Sequence, residues 1–229
     1  MKDYHCDILS SRRRAMENKL SLSIQQQVEQ GISILKQGGI VAFPTDTVYG
    51  LGACISIGYA VERVYRVKER PRSMALPLLL ADASQIGEVA EPVPLIAWLL
   101  ADKFLPGALT MVLHKSESVP DIITGGGTTV AVRIPAHPVP VALARGLGAP
   151  IVGTSANLSG KPSALTADEV YAQLGDKVDL IIDGGRCPGG KESTIIDLTG
   201  ETPVVLREGA ILRKELEQVC QSIAFTEGG

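Results

Sequence analysis

The chain has 229 residues, 45% of them hydrophobic and 21% charged, the composition of a folded protein with a sizeable buried core. A formal net charge of -3 argues against a scaffold that holds nucleic acid by bulk charge, and an aromatic content of 4% leaves little surface for stacking bases. No run of about eighteen apolar residues is present, so neither a transmembrane helix nor a membrane partner is expected. The four cysteines are scattered without a CxxC pair, which predicts neither a zinc knuckle nor a disulfide framework and favours the reducing cytoplasm.

The start of the chain, MKDYHCDILSSRRRAMENKLSLS, carries an arginine run with no apolar segment behind it, so it is not a secretory signal. We expect residues 1–22 to form a flexible leader and residues 23–229 to form a single domain. That domain begins with an amphipathic helix predicted over Ser23–Gln37, capped by Ser23 with Gln26 and ended by Gly38-Gly39. Its apolar face is formed by Ile24, Val28, Ile32 and Leu35.

The remaining elements alternate between strands and helices. Short apolar runs rich in Val, Ile and Thr predict strands at IVAF, LPLLLA, LTMVLH, TTVAVRI, PIVGT, VDLIID, STIIDL and PVVLRE. Helices are predicted at AVERVYRVKER, PLIAWLLADKFL, ADEVYAQL (capped by Thr166 with Glu169) and ILRKELEQVC. The turn TGE makes the last two strands a hairpin, which excludes a purely parallel sheet. The pattern predicts one α/β domain with an open, twisted, mixed β-sheet and flanking helices.

Several well-known motifs fail on inspection. GRCPGGKE nearly matches a P-loop, but Glu192 stands where a hydroxyl should meet magnesium, and a strand follows instead of a helix. No G-x-G-x-x-G follows a strand, and GTSAN departs from the nucleophile elbow at Asn157. The three histidines lack metal-ligand spacing, and His137, beside a proline, is expected in an exposed turn.

Polar clusters at strand ends remain to be explained. FPTDTVYGLG packs hydroxyls, a carboxylate and glycines into one turn, and YRVKERPRS carries more basic than acidic residues, which suits a polyphosphate. Arg133 lies within an apolar strand, where a guanidinium is costly without an anionic partner. GTSANLSGKPS, and ESTIIDL with LREG, add hydroxyls, amides and Arg207. Together these clusters predict an α/β enzyme that handles a phosphorylated or nucleotide ligand.

The ordered set GGIVAFPTDTVYGLG, KERP…PL, LPGALTMVL, VAVRIP, GTSANLSGKPS, ESTIIDL and LREGAI closely resembles the YrdC/TsaC family, the L-threonylcarbamoyladenylate synthases. The resemblance runs from about Ile24 to Ile211 and looks like the single-domain form of the family. It implies a YrdC-like fold with a concave, positively charged face. It also implies a reaction in which L-threonine, bicarbonate (or carbon dioxide) and ATP with Mg²⁺ give L-threonylcarbamoyl-AMP, pyrophosphate and water.

The resemblance also implies roles for individual residues. For L-threonine these are Thr47, Arg133, Gly153 and Ser193. For ATP they are Lys68, Arg70, Thr129, Ser155, Asn157, Ser163 and Arg207. Lys68 and Arg70 would hold the phosphates as the catalytic pair, and no metal ligand is expected from the protein because Mg²⁺ would arrive with ATP.

The product would feed a threonylcarbamoyl transferase that modifies adenosine next to the anticodon of tRNA. One departure from the family pattern is the segment PRSMAL, which is longer than usual and to which no ATP contact is assigned. A double-stranded RNA- or tRNA-binding module without turnover, and a carbamoyltransferase-type domain of a hydrogenase-maturation enzyme, are the alternatives; weak RNA binding is compatible with the main interpretation.

Overall fold

The computed structural model describes residues 20–220 and 222–225, so nearly all of the predicted leader lies outside the described residues. The strands of the described part are β1 (Ile40–Phe43), β2 (Gly50–Ala53), β3 (Leu78–Leu79), β4 (Leu109–His114), β5 (Thr129–Arg133), β6 (Ile151–Val152), β7 (Thr154–Ser155), β8 (Leu180–Ile181), β9 (Thr194–Asp197), β10 (Val204–Arg207) and β11 (Ala224–Phe225). The α-helices there are α1 (Leu22–Lys36), α2 (Gly58–Lys68), α3 (Ile86–Val89), α4 (Leu95–Phe104), α5 (Asp121–Thr124), α6 (Pro138–Leu147), α7 (Ala167–Leu174) and α8 (Arg213–Leu216).

The described strands form two mixed sheets rather than the one that was predicted. The smaller sheet has the order β7-β2-β1-β8 and the larger β11-β10-β9-β4-β5-β3-β6. An antiparallel bridge between Cys54 and Ile151 connects the end of β2 to β6 and so joins the two sheets. The predicted class, an α/β fold with open mixed sheets and flanking helices, is confirmed, and so is the antiparallel hairpin of β9 and β10.

Two hydrophobic clusters hold these layers together. Val28 and Leu35 of α1 pack with Val139 and Leu143 of α6 against Phe43 in β1. A larger cluster joins the other face of β1 and β2 to the buried side of the large sheet and to α2, α4 and α7. The opposite side of the large sheet carries Thr110, Thr129 and Arg133, whereas at its β3 and β6 end Leu79 and Ile151 pack in the first cluster.

Two terminal helices differ from their predicted limits. The structure starts α1 at Leu22, and its N-cap is Ser21, whose Oγ accepts a hydrogen bond from the Ile24 amide at 3.3 Å. The predicted cap at Ser23 is therefore wrong, because Ser23 already lies within the helix. At the other end of the chain, the predicted helix over ILRKELEQVC is reduced to the single turn of α8.

Helix α6 was not expected from the sequence, because PVPVALARGL contains two prolines. Pro138 occupies the first position, and the fixed φ of proline and its missing N–H are compatible with the first turn of a helix. His137 is the N-cap: its Nδ1 accepts a hydrogen bond from the Val139 amide at 3.3 Å. The prediction that His137 lies in an exposed turn is wrong, because the imidazole is half-buried and caps α6. Burial lowers the pKa of this imidazole.

Strand β2 was also missed, because its sequence GLGA holds two glycines that disfavour strands. The Phe43 ring lies directly against them: a Cβ at Gly50 or at Gly52 would each come within 2.7 Å of a ring carbon. The glycines of FPTDTVYGLG thus allow close approach of Phe43, and the second half of this stretch is a strand rather than a loop.

Replacing Gly52 by alanine should therefore lower the free energy of unfolding by about 1–3 kcal/mol, the usual cost of overpacking a core. The new Cβ would meet Phe43 and also the Val152 carbonyl oxygen, at 3.0 Å. Gly87→Ala is the control, because a Cβ on that exposed helical glycine meets nothing within 4 Å and should be neutral or stabilising by up to about 1 kcal/mol. Urea unfolding of the two variants measures the difference, and equal stabilities would contradict this account of β2.

Candidate active site

The polar side of the large sheet carries several of the predicted residues. Val130 and Val132 of β5 are buried in the core, so the alternation of a strand turns Thr129 and Arg133 to the opposite face. These two residues are about 13 Å apart along the strand, at about 3.3 Å per residue. Ser193 joins the same side, because its Oγ lies 2.8 Å from Oγ1 of Thr110 in β4.

Arg133 is buried and makes three hydrogen bonds. Its Nη2 donates to Asp46 Oδ1 at 2.7 Å, its Nη1 to Thr47 Oγ1 at 3.0 Å, and its Nε to the Gly107 carbonyl at 2.9 Å. Two residues predicted to contact threonine, Thr47 and Arg133, are therefore in direct contact. A guanidinium has five N–H groups, so these bonds leave donors with which a ligand carboxylate can pair.

Asp46 is the residue in this group whose role the sequence did not reveal. No binding role was assigned to it from the sequence, yet its carboxylate compensates the buried charge of Arg133 in an ion pair with side-chain exposures of 8% for Arg133 and 14% for Asp46. Thr45 does shape the loop, since its Oγ1 accepts from the Thr47 amide and donates to the Val48 carbonyl. The rigid turn thus presents Asp46 and Thr47 together.

Gly153, the fourth residue predicted for threonine, lies between β6 and β7. Its amide donates to the Pro77 carbonyl at 2.9 Å, and a Cβ at this position would come within 2.1 Å of Leu79 Cγ. Leu79 is the register partner of Arg133 in the β3–β5 ladder. Glycine is therefore needed at position 153 for packing. The Leu79 side chain packs against this glycine, and Leu79 is paired with Arg133 in the sheet.

Lys68 is fully buried at the end of α2 and organises the GTSAN segment. Its Nζ donates to the Ser155 carbonyl at 2.5 Å, to the Asn157 carbonyl at 2.7 Å and, at 3.4 Å, to Asn157 Oδ1. Burial, followed by the charge of Arg70, lowers the pKa of Lys68 to about 8, against a small opposing effect of Glu192. Three predicted ATP residues are thus joined by one ammonium group.

The guanidinium of Arg70 is directed to its own loop. Its Nε donates to the Met74 carbonyl at 3.2 Å and its Nη2 to the Ala75 carbonyl at 2.9 Å. The unusual segment PRSMAL therefore folds back on Arg70, with Leu76 in the core and Met74 half-exposed. These two carbonyls hold Arg70 in place.

A second group of predicted ATP residues meets at a carboxylate. Ser163 Oγ donates to Glu192 Oε1 at 2.6 Å, and Arg207 Nη1 forms an ion pair with Glu192 Oε2. Arg207 also donates from Nε and Nη2 to the Ser193 carbonyl, at 3.2 and 2.9 Å. A pocket of about 430 Å³ opens here, lined by Lys191, Glu192, Arg207, Glu208, Gly209, Ile211 and Leu212.

The segment that failed as a P-loop, residues 185–192, has another role. The Gly190 amide donates to the Thr47 carbonyl at 3.3 Å, and Cys187 Sγ accepts from the Thr45 amide at 3.4 Å. A Cβ at Gly189 would come within 3.0 Å of the Thr47 backbone. This segment therefore packs against the Asp46–Thr47 turn and connects it to Glu192, a link that separations of more than 130 residues hide from sequence reasoning.

The basic residues in and after α2 do not form one continuous positively charged surface. Arg63 is paired with Asp179 and Arg72 with Glu62, and Lys68 is buried. The positively charged face remains a prediction.

Other features of the described residues lie outside these groups. A pocket of about 560 Å³ beside α4 contains none of the predicted residues; its walls are Leu99, Asp102, Lys103, Gln218 and Val219. Within the described ranges, no cluster of three or more His, Cys, Asp or Glu side chains is placed to hold a metal ion. In that same part of the chain, none of the helices has the length and apolar character needed to cross a membrane.

Fold and side chains together define an α/β protein with a polar site built from guanidinium, ammonium, hydroxyl and backbone groups, suited to a small anionic ligand. The family model described as Sua5_yciO_yrdC, telomere recombination, matches residues 33–209. The chain belongs to this family.

Known relatives agree with this assignment. Two proteins named threonylcarbamoyl-AMP synthase, from Pyrococcus abyssi and Bacillus subtilis, are 42% and 41% identical over 88% of this chain. The chain spans 61% and 59% of the length of these two relatives. The solved structure of P. abyssi Sua5 complexed with L-threonine has a TM-score of 0.85 and 44% identity, and the match covers 87% of this chain and 58% of that one.

Proposed function

We propose that this protein synthesises L-threonylcarbamoyl-AMP from L-threonine, bicarbonate or carbon dioxide, and ATP, with release of pyrophosphate and water. The observation that carries the proposal is the buried Arg133, which contacts Thr47 and retains donors for a carboxylate. The names of the relatives, and the L-threonine in the P. abyssi structure, support this function over an RNA-binding module without turnover.

The threonine half of the site would be formed around Arg133. Its guanidinium would pair with the threonine carboxylate, while Thr47, Ser193 and the backbone of Gly153 would contact the rest of the amino acid. A site that hydrogen-bonds the threonine hydroxyl discriminates strongly against analogues without it, because its own polar groups would be left unpaired.

The ATP half would be formed by the two groups that meet at Lys68 and Arg207. Lys68 and Arg70 would neutralise the phosphates, with further contacts to the nucleotide from Thr129, Ser155, Asn157, Ser163 and Arg207. Mg²⁺ would enter with ATP and offset phosphate charge.

The chemistry requires little from acid–base groups. Bicarbonate takes up a proton and loses water to give carbon dioxide. The threonine amine attacks this carbon dioxide to form a carbamate and loses one proton, which balances the proton taken up by bicarbonate; a carbamate oxygen then attacks the α-phosphorus, and the bond to pyrophosphate breaks. Such phosphoryl transfer depends on positioning and on neutralisation of charge, which lysine and arginine provide. This accounts for a site assembled around cations and hydroxyls.

In the cell, the product would pass to a threonylcarbamoyl transferase that modifies tRNA. A cytoplasmic location fits the described cysteines, Cys54, Cys187 and Cys220, which are free and buried. Weak binding of RNA to the site face would fit delivery to tRNA.

Pyrophosphate release tests the proposed function. We expect release only when threonine, bicarbonate and ATP–Mg²⁺ are all present, and a much slower release with 2-aminobutyrate, which lacks the threonine hydroxyl. Release that ignores threonine would overturn the proposal, and tight, salt-sensitive RNA binding without any turnover would favour the RNA-binding module.

A further inference from the structure

Glu192 is a carboxylate in the middle of a site that is proposed to bind a polyanion. Its two oxygens engage Ser163 and Arg207, which come from different parts of the chain. Its charge also opposes the lowering of the Lys68 pKa by burial and by Arg70, so the carboxylate interacts electrostatically with that ammonium. Three of the residues predicted for ATP, namely Ser163, Arg207 and Lys68, thus interact with the carboxylate of Glu192.

Arg207 does not need Glu192 in order to stay in position. Its Nε and Nη2 both donate to the Ser193 carbonyl, and these bonds leave the ion pair on Nη1 as a separate contact. The pair is partly open to solvent, with side-chain exposures of 40% for Arg207 and 35% for Glu192. An incoming phosphate can therefore reach the guanidinium, but it must compete with the carboxylate.

ATP brings several negative charges to this place, and like charges held close together are repelled. A carboxylate that served only to build the site would be an unfavourable choice, since an amide could accept the bond from Ser163 equally well. The negative charge of Glu192, and not only its ability to accept a hydrogen bond, therefore requires an explanation.

We propose that Glu192 is a built-in competitor of the nucleotide: it neutralises Arg207 in the free enzyme, weakens ATP binding, and recaptures Arg207 as anionic products leave. The inference rests on the proposed function, because it takes ATP as the ligand of Arg207 and Ser163. It assigns Glu192 a role in affinity and release rather than in chemistry.

A purely structural role predicts the opposite direction of change. If Glu192 only positioned Arg207 and Ser163, removal of its charge would loosen both groups and weaken ATP binding. If it competes with the nucleotide, Glu192→Gln keeps the acceptor for Ser163, releases the guanidinium and tightens binding. The sign of the change separates the two roles.

The test is calorimetric titration of ATP–Mg²⁺ into the intact protein without threonine or bicarbonate, so that binding is measured without turnover. We expect Kd to fall about two- to fivefold in Glu192→Gln, the range of a half-exposed ion pair. Glu192→Ala should change Kd in the same direction, and inhibition by pyrophosphate should strengthen in parallel. In an Arg207→Gln background the gain should vanish.

Glu208 provides the matched control, because it lines the same pocket and, among the described residues, forms no ion pair with Arg207. Glu208→Gln removes the same charge from the same pocket and should give less than half the gain. An equal gain in Glu208→Gln, or unchanged or weaker binding in Glu192→Gln and Glu192→Ala, would overturn the inference.

The wild-type protein separates this failure from failure of the proposed function. Wild-type protein that binds ATP and releases pyrophosphate in a threonine-dependent manner, beside variants that bind no tighter, refutes only the role of Glu192. Wild-type protein that binds no ATP refutes both.

Discussion

Replacing Arg133 by lysine is expected to raise KM for threonine about 10- to 100-fold, with KM for ATP changed less than about twofold. The lysine retains a positive charge next to Asp46 but lacks the planar fork that reaches Asp46, Thr47 and a ligand carboxylate together. The expected loss corresponds to about 1.5–3 kcal/mol, the contribution of a hydrogen bond to a charged group. Steady-state kinetics of pyrophosphate release with each substrate varied in turn measures it.

Asp46→Asn tests the counter-ion of the same guanidinium. The amide oxygen can still accept from Arg133, but the buried guanidinium loses its counter-ion, so both threonine use and stability should decline. Arg133→Ala is less informative, because an uncompensated carboxylate would be left buried, at a cost of about 3–5 kcal/mol. A folded Arg133→Lys protein with an unchanged KM for threonine would remove Arg133 from the threonine site.

Lys68→Met is expected to reduce kcat/KM for ATP about 10²- to 10³-fold, the usual loss when a preorganised group is removed from a site of developing charge, because the site loses a positive charge and the anchor of the Ser155–Asn157 backbone. It should also lower Tm by several degrees, because the Ser155 and Asn157 carbonyls lose a buried partner at about 1–3 kcal/mol each. Lys161→Met is the control: it makes the same substitution on an exposed residue of GTSANLSGKPS, the segment that Lys68 contacts. Equal losses in both variants would contradict the assignment of Lys68.

The pH dependence adds a second test of Lys68. Since its pKa lies at about 8 in the folded protein, against 10.5 in a model peptide, its charge is lost as pH rises above about 8. The kcat/KM for ATP should decline there. Between about 8 and 10.5 the unfolded chain binds more protons at this group, so its contribution to the free energy of unfolding rises with pH. Activity and this part of stability thus change in opposite directions, which distinguishes deprotonation of Lys68 from unfolding.

The parts of the fold that the sequence predicts well are those whose signals are local. Strands β4, β5, β9 and β10 are rich in β-branched residues, and α7 starts at its predicted cap, where Thr166 Oγ1 accepts from the Glu169 amide. Strand β2 and helix α6 were missed because tertiary contacts override propensity there: Phe43 requires glycines, and His137 caps a helix that starts with proline.

The site was predicted as a set of residues but not as a network. Hydroxyls, amides and guanidiniums at strand ends indicated an anionic ligand, and the resemblance supplied roles for each. The carboxylates that organise the arginines carried no such signal. Asp46 is 87 positions from Arg133, and Glu192 had counted as a residue that breaks the P-loop pattern. Ion pairs that depend on folding are therefore what the structure adds.

Mass analysis of the nucleotide formed in the presence of ¹³C-bicarbonate tests the proposed synthesis most directly. A reaction with threonine and ATP–Mg²⁺ should yield an adenylate that carries both the threonine and one labelled carbon, and its yield should match the pyrophosphate released. Formation of unlabelled threonyl-AMP, or of AMP alone, would contradict the proposed function.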